Sequence, residues 1–304
     1  MTQHVPLVHV LRDGRVESVH YGSIVVLSPD GSVRFAAGEV DQPFYPRSAM
    51  KPVQASALVE LGLRLPADLL ALAAASHSGE DVHLDGARRI LAQAGLSVAD
   101  LRNPPELPYD EAVRRTWLEQ GRAPSQLAQN CSGKHAAMLA TARQHGWSLE
   151  DYLDPRHPVQ QAVAAEVKRL CGEPPAHVAT DGCGAPLFAV SLRGLAHAAG
   201  RIASAEGEVA AAMRAHPEMV AGSARDVTAL MRAVPGLMAK DGFEGVQIAA
   251  LADGTALAIK IADGSDRARL PITLAALEFC GVDTESLAPL RVRDTRAAVT
   301  FDAW

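Results

Sequence analysis

Pro46-Arg47-Ser48-Ala49-Met50-Lys51-Pro52 is the stretch on which the reading of this 304-residue chain turns. It sets a serine and a lysine three residues apart, and Val53, Ala57 and Leu61 follow at helical spacing. On a helix the two side chains lie one turn apart, with Cβ atoms roughly 5–6 Å from each other. A serine hydroxyl becomes a useful nucleophile when a neighbouring base takes its proton. Lysine serves as that base where burial or nearby positive charge lowers its pKa. The same residues also suit a helix N-cap serine followed by a solvated lysine, and about one Ser-x-x-Lys match per 300 residues arises by chance. The surrounding chain decides between the two.

Before this stretch the sequence reads as an antiparallel meander. Val5–Leu11 and Val16–Leu27 are rich in β-formers and flank Asp13-Gly14, a strong hairpin signal, and the turn Ser28-Pro29-Asp30-Gly31 leads to Ser32–Ala37. From Ser48 to about residue 234 the pattern is mainly helical. Helices are expected over Leu69–Ala75, Val82–Ala94, Asp110–Glu119, the alanine-rich stretch that follows Asn130–His135 to about Gln144, Pro158–Cys171, Leu187–Ala199, Glu206–Ala215 and Ala224–Val234, with a short β-like piece at His177–Thr180. Strands return at Val246–Leu251 and Ala256–Ile261 around Asp253-Gly254, and Leu270, Leu274 and Leu277 mark a last helix. Strands, then helices, then strands again is an α+β order, with an antiparallel sheet drawn from both ends beside a helical middle. No repeat or linker divides residues 1–304, so one catalytic domain is expected.

Composition narrows the function. The chain is 48% apolar but only 4% aromatic, and its net charge of −6 offers no basic footprint for nucleic acid or anionic membrane. No apolar run is long enough to span a bilayer, and Met1–Leu11 lacks the pattern of a secretory signal. Cys131, Cys171, Cys183 and Cys280 are widely spaced and give no disulfide framework, so a reduced cytoplasmic enzyme is expected.

Three further clusters bear chemistry. Ser76-His77-Ser78-Gly79-Glu80 follows an apolar run and reads either as hydroxyls in a cleft or as a helix C-terminus with its cap. Lys240-Asp241-Gly242 precedes the strand at Val246 and reads either as a base aimed into a cleft or as a solvated turn. Cys131 and Lys134 at i, i+3, with Cys183 two residues after Asp181, could close a tetrahedral zinc site, although lone cysteines are more often buried hydrophobes. Cys171 and Cys280 end apolar helical faces and belong to the core.

Together these segments resemble the rhizobial-type, or class 3, L-asparaginases, which are similar in fold to serine β-lactamases and penicillin-binding proteins. The matching stretches are Arg47–Pro52, Ala75–Ser78, Asn130–His135, Thr180–Cys183 and His216–Gly222, in family order. The resemblance implies two serine–lysine pairs, Ser48 with Lys51 and Ser76 with Lys240. It also implies a zinc ion held by Cys131, Lys134 and Cys183, with Asp181 close by, and a homodimer. Gly79 stands in a loop where the family carries a polar side chain, and the stretch after Leu287 has no counterpart.

The resemblance implies hydrolysis of L-asparagine to L-aspartate and ammonia through an acyl-enzyme. Arg47, His135 and Asp181 are candidates for holding the substrate. Two alternatives stay open: a penicillin-recognising serine hydrolase acting on glutamine, a β-lactam or a peptide, and a non-catalytic protein stabilised by zinc. The absence of a Ser-Asp-Asn stretch weighs against the first.

Overall fold

The computed structural model describes residues 3–204 and 207–301. Its N-terminal strands are β1 (Val5–Arg12), β2 (Arg15–Leu27) and β3 (Val33–Ala37). Asp13 and Gly14 both take positive φ, +48° and +78°, which is what a two-residue hairpin loop of primed type requires between strands of right-handed twist. The outer half of β2 projects into solvent, whereas Gly22–Leu27 is buried on both faces.

The middle of the chain contributes helices α1 (Lys51–Glu60), α2 (Ala67–Ala73), α3 (Asp81–Gln93), α4 (Glu111–Glu119), α5 (Ser132–Gln144) and α6 (Pro158–Cys171). A separate hairpin follows, β4 (His177–Thr180) with β5 (Pro186–Ala189), and then α7 (Leu192–Ser204), α8 (Glu208–Ala215), α9 (Pro217–Val220) and α10 (Asp226–Ala233). The chain returns to the sheet with β6 (Met238–Gly242), β7 (Val246–Ala250) and β8 (Ala256–Ile261). It ends with α11 (Asp266–Phe279), α12 (Thr284–Leu287) and β9 (Thr295–Ala297).

The seven-stranded sheet runs in the order β6-β7-β8-β2-β1-β9, with β3 paired to the buried half of β2. Every pairing is antiparallel, so both ends of the chain build one sheet, and the fold is α+β as the element order predicts. Helix α7 covers β2, β7 and β8, while α11 covers β1, β7, β8 and β9 without packing on α7, which places the two on opposite faces. That explains why β7 and β8 are apolar throughout instead of alternating. Helices α1, α2, α5, α6 and α8 pack beyond α7, and one continuous apolar core joins them to the sheet. Among the described residues no helix is long and apolar enough to cross a membrane.

The structure corrects several sequence expectations. Leu187–Ala199 is not one helix: Pro186–Ala189 forms β5, register-paired with His177–Thr180, and the helix starts only at Leu192. The four strand residues are all buried and so carry no periodicity to separate strand from helix. Lys240-Asp241-Gly242 is not a turn but the end of β6, and the turn lies one step later, where Glu244 takes φ +63°. Glu206 of the expected Glu206–Ala215 helix lies outside the described residues, and the helix begins at Glu208. The stretch beyond Leu287 adds β9 to the free edge of β1. Gly79 takes φ +86°, and a Cβ there would lie 2.8 Å from Pro108 Cβ, so this chain has no room for the expected polar side chain.

One glycine fixes where the sheet meets the Ser48 stretch. A Cβ on Gly242 would lie 2.6 Å from the Pro46 carbonyl oxygen and 2.9 Å from the Ala49 nitrogen, so β6 and the Pro46–Ala49 backbone touch directly. Gly242→Ala is therefore expected to lower stability by about 1–3 kcal/mol. Urea unfolding of the variant at neutral pH checks this, and an unchanged midpoint would contradict the close approach.

Candidate active site

Ser48 occupies a single 3-10 turn, Arg47–Met50, that runs into α1 at Lys51. The Lys51 backbone N–H donates to the Ser48 carbonyl, and Pro52 sits in the first helical turn, where its missing N–H costs nothing. Arg47 has a left-handed φ of +51°, a strained conformation for a non-glycine residue, held by its own Nε donating to Asp181 Oδ1 at 2.8 Å.

Ser76 follows the end of α2. Its backbone N–H donates to the Val220 carbonyl at 2.9 Å and that of Ser78 to the Ala221 carbonyl at 2.7 Å, while His77 N–H donates to Asn130. The loop is thus pinned between the α9 end and the residue before Cys131. The His77 ring shares a 2.9 Å hydrogen bond with Ser132 Oγ, and burial, with His83 and Lys51 nearby, holds its pKa well below the ordinary value. His77 is therefore a neutral strut tying the Ser76 loop to α5.

Both lysines converge on Ser76. Lys51 Nζ donates to Ser76 Oγ at 2.9 Å and to the Ala75 carbonyl, and Lys240 Nζ donates to the same Oγ at 2.9 Å. Lys51 and Lys240 are both fully buried. Lys240 also donates to the Asp241 carbonyl and to Asp241 Oδ1 at 2.8 Å, and Arg225 pairs with the other carboxylate oxygen. The Arg225 guanidinium lies 4.6 Å from the centre of the Tyr109 ring.

Burial strips water from the Lys240 ammonium and the charges of Lys51 and Arg225 repel it. These effects outweigh Asp241 and bring its pKa down to about 8. Burial would raise the Asp241 carboxyl, but Lys240, Arg225 and Arg269 hold it far below the usual carboxylate range.

Ser48 lines a cleft of about 320 Å3 with Arg47, Glu106, Tyr109, Gln129, Asp181 and Phe243. Ser76, Lys51 and Lys240 are buried and are not part of that lining. Cys131 and Cys183 form part of its floor. Lys134 Nζ donates to Cys183 Sγ at 3.1 Å, and Asp181 Oδ2 lies 3.7 Å from the same sulfur.

A hydrogen bond from Cys131 and the Lys134 charge bring the Cys183 thiol down to about 5 against the effect of burial. Burial opposes the Lys134 ammonium, but the two sulfurs and Asp181 raise its pKa overall. In a tetrahedral zinc site a lysine nitrogen and a thiolate sulfur stand roughly 3.6 Å apart. The 3.1 Å contact is near that spacing, and the donors fit zinc provided Lys134 gives up its proton. Among the described residues no group of three or more His, Cys, Asp and Glu side chains could hold a metal ion.

The chain matches the family described as L-asparaginase II over residues 8–300. It belongs to that family. No curated protein matches it. Among solved structures, Mglu in its native form is similar at 14% identity and a TM-score of 0.46, covering 85% of this chain and 64% of its own. The present chain thus spans under two thirds of the Mglu chain. A beta-lactamase from Mycobacterium bovis is similar at 16% identity and a TM-score of 0.40, covering 84% of this chain and 94% of its own.

In this L-asparaginase II chain Ser48, Ser76, Lys51, Lys240, Arg47, Asp181, Cys131, Lys134 and Cys183 gather around one cleft, but two details differ from expectation. Lys51 donates to Ser76, and no hydrogen bond joins it to Ser48 among the described residues. His135 does not line the cleft: it is fully buried with Nδ1 bonded to the Tyr152 hydroxyl at 2.8 Å, and burial lowers its pKa to about 3. Sequence reasoning missed Asp241 and Arg225, which compensate the buried lysine. The Lys240-Asp241 adjacency was the one local signal for them.

Replacing Asp241 with asparagine leaves the buried Lys240 and the partly buried Arg225 without their shared anion and is expected to cost about 3–5 kcal/mol. Below pH 8 Lys240 is charged and needs that partner, whereas above it the amine is neutral. The loss in Asp241→Asn should therefore shrink between pH 7 and pH 9.5, as read by urea unfolding of variant and wild type at both values.

Proposed function

We propose that this protein is an L-asparagine amidohydrolase that releases ammonia through an acyl-enzyme. The observation carrying the reading is one serine hydroxyl held between two buried lysine amines, the first of which follows by three residues a second serine that lines a cleft. Membership of the L-asparaginase II family supports a linear side-chain amide as the substrate.

Ser48, the serine a substrate can reach, attacks the side-chain amide carbon and forms an ester to it. The hydroxyl proton passes to the Lys51 amine, which donates to Ser76 in this structure and turns toward Ser48 to accept it. Lys51, Ser76 and Lys240 then form a chain along which the proton is held and delivered to the departing nitrogen, so that ammonia leaves neutral. Water attacks the ester, and the same chain takes its proton and returns one to Ser48. Asp241 and Arg225 hold Lys240 in place, and its lowered pKa keeps a neutral amine accessible near pH 8.

Arg47, oriented by Asp181, offers its remaining N–H groups to the substrate carboxylate. The proposal includes zinc held by Cys131, Lys134 and Cys183, which when bound would supply positive charge beside the substrate's oxygen atoms. It also includes a homodimer acting in the cytoplasm, which rests on the resemblance noted above.

Ammonia release from L-asparagine and L-glutamine tests the reading. Turnover of L-asparagine should rise as pH climbs through about 8, because Lys240 loses its proton there. Ser48→Ala should abolish turnover, and Ser76→Ala should reduce it by about 10²–10⁴-fold. Turnover that survives Ser48→Ala but not Ser76→Ala would transfer the nucleophile to Ser76, and an acid optimum would refute lysine as base.

Elemental analysis of the purified protein should find one zinc per chain, lost in Cys183→Ser and taken up less readily as pH falls because Lys134 must be deprotonated to bind it.

A further inference from the structure

The cleft wall carries two arginines, Arg47 and Arg114, and two carboxylates, Asp181 and Glu106. The Asp181 carboxylate is paired with Arg47 at 2.8 Å. Arg114, also on the wall, spends its Nε on the Pro108 carbonyl at 2.9 Å and an Nη on the Tyr109 carbonyl. The carboxylate of Glu106 also lines the cleft, and none of the ion pairs among the described residues includes it.

The backbone carrying this carboxylate is nevertheless held in a definite place. The Glu106 backbone forms an isolated antiparallel bridge with Ser125, donating to its carbonyl at 3.2 Å and accepting from its N–H at 3.0 Å. The side chain is exposed and shares the cleft wall with Gln129. Gln129 is buried, and its amide oxygen already accepts from Asn103 Nδ2 at 2.8 Å, which leaves the amide nitrogen to face Glu106. Asn103, also buried, is anchored in turn on the Gln126 carbonyl at 2.8 Å. A chain of neutral amides thus runs from the core to the cleft beside a carboxylate that joins no ion pair among the described residues, the Arg114 charge acting on it from farther off.

We propose that Glu106 binds the α-ammonium group of the substrate, so that the cleft accepts amides carrying a free α-amino group and discriminates against those lacking one. The proposal rests on the amidohydrolase reading above and adds the residue that makes the site specific for amino acids. With the carboxylate of the substrate on Arg47 and its ammonium on Glu106, the two charges are fixed on opposite partners and the side-chain amide is left to face Ser48. A charge-assisted hydrogen bond replaces the water that Glu106 gives up when the cleft is filled.

The test is steady-state ammonia release by wild type, Glu106→Gln and Glu106→Asp on L-asparagine and on succinamic acid, the same molecule without its α-amino group. Wild type should prefer L-asparagine. Glu106→Gln should raise KM for L-asparagine about ten- to a hundredfold with kcat within about twofold, and leave kcat/KM for succinamic acid unchanged. Glu106→Asp should recover part of the lost affinity.

An unchanged KM for L-asparagine in Glu106→Gln overturns the assignment, as does an equal loss on both substrates. If wild type releases no ammonia, the amidohydrolase reading fails separately. Calorimetric binding of L-asparagine then decides the question, weaker binding by Glu106→Gln upholding Glu106 and equal binding overturning it.

Discussion

Two lysine side chains are buried within hydrogen-bonding distance of a single hydroxyl, and the rest of the structure is arranged to tolerate them. Removing an ammonium group from water costs several kcal/mol unless it is paired, deprotonated or both. The protein uses both devices on Lys240. Asp241 supplies a charge, and that carboxylate is shared with Arg225. Lys51 is given the Ala75 carbonyl instead, an oxygen freed where α2 ends. The end of one helix, the start of another and an inner edge of the sheet therefore have to coincide, and the helical middle of the chain is placed accordingly.

The same constraint explains why residues far apart in sequence share the site. Ser76 cannot be held by Lys51 and Lys240 unless its loop is pinned, and backbone bonds to Val220 and Ala221, with the His77–Ser132 contact, do this. Ser132 begins the helix that carries Lys134, so the thiol–amine cluster and the serine–lysine cluster are mounted on adjoining supports. A change in either is transmitted through two hydrogen bonds and a helix terminus instead of through solvent.

Much of this was legible in the amino-acid sequence. The hairpin at Asp13-Gly14, the strand–helix–strand order and the Ser48–Lys51 spacing follow from local patterns that physics reads directly: turn residues, hydrophobic period and nucleophile spacing. Ser76, Lys240 and the Cys131–Lys134–Cys183 set were legible only through the resemblance to a known family, because their local patterns equally suit a helix cap, a turn and buried thiols. Partnerships across the fold were not legible. Ser48 and Lys51 share a turn, so spacing favours pairing them, but Lys51 is directed into the core and meets a hydroxyl 25 residues later. Strand β6 escaped notice because it is five residues long and contains a lysine, an aspartate and a glycine. Its strand character comes from pairing with β7, which is a tertiary property. The electrostatic partners Arg225 and Asp241 and the amide chain behind Glu106 leave no periodic trace, since each is made by one contact.

The order of strands has a further meaning for the protein's behaviour in solution. A strand paired on one side only is a template on which another chain can add, and in this sheet β3, β6 and β9 are such strands. At one border stands β9, only three residues long and therefore a poor template. At the other stands β6, which is entirely buried, its Gly242 end pressed against the Pro46–Ala49 backbone. The segment that presents Ser48 is thus also a lid over an otherwise adhesive border. Local unfolding of that segment would uncover the Gly242 end of β6 at the same time as it dismantles the serine–lysine arrangement, while α8 and α10 still pack on the strand.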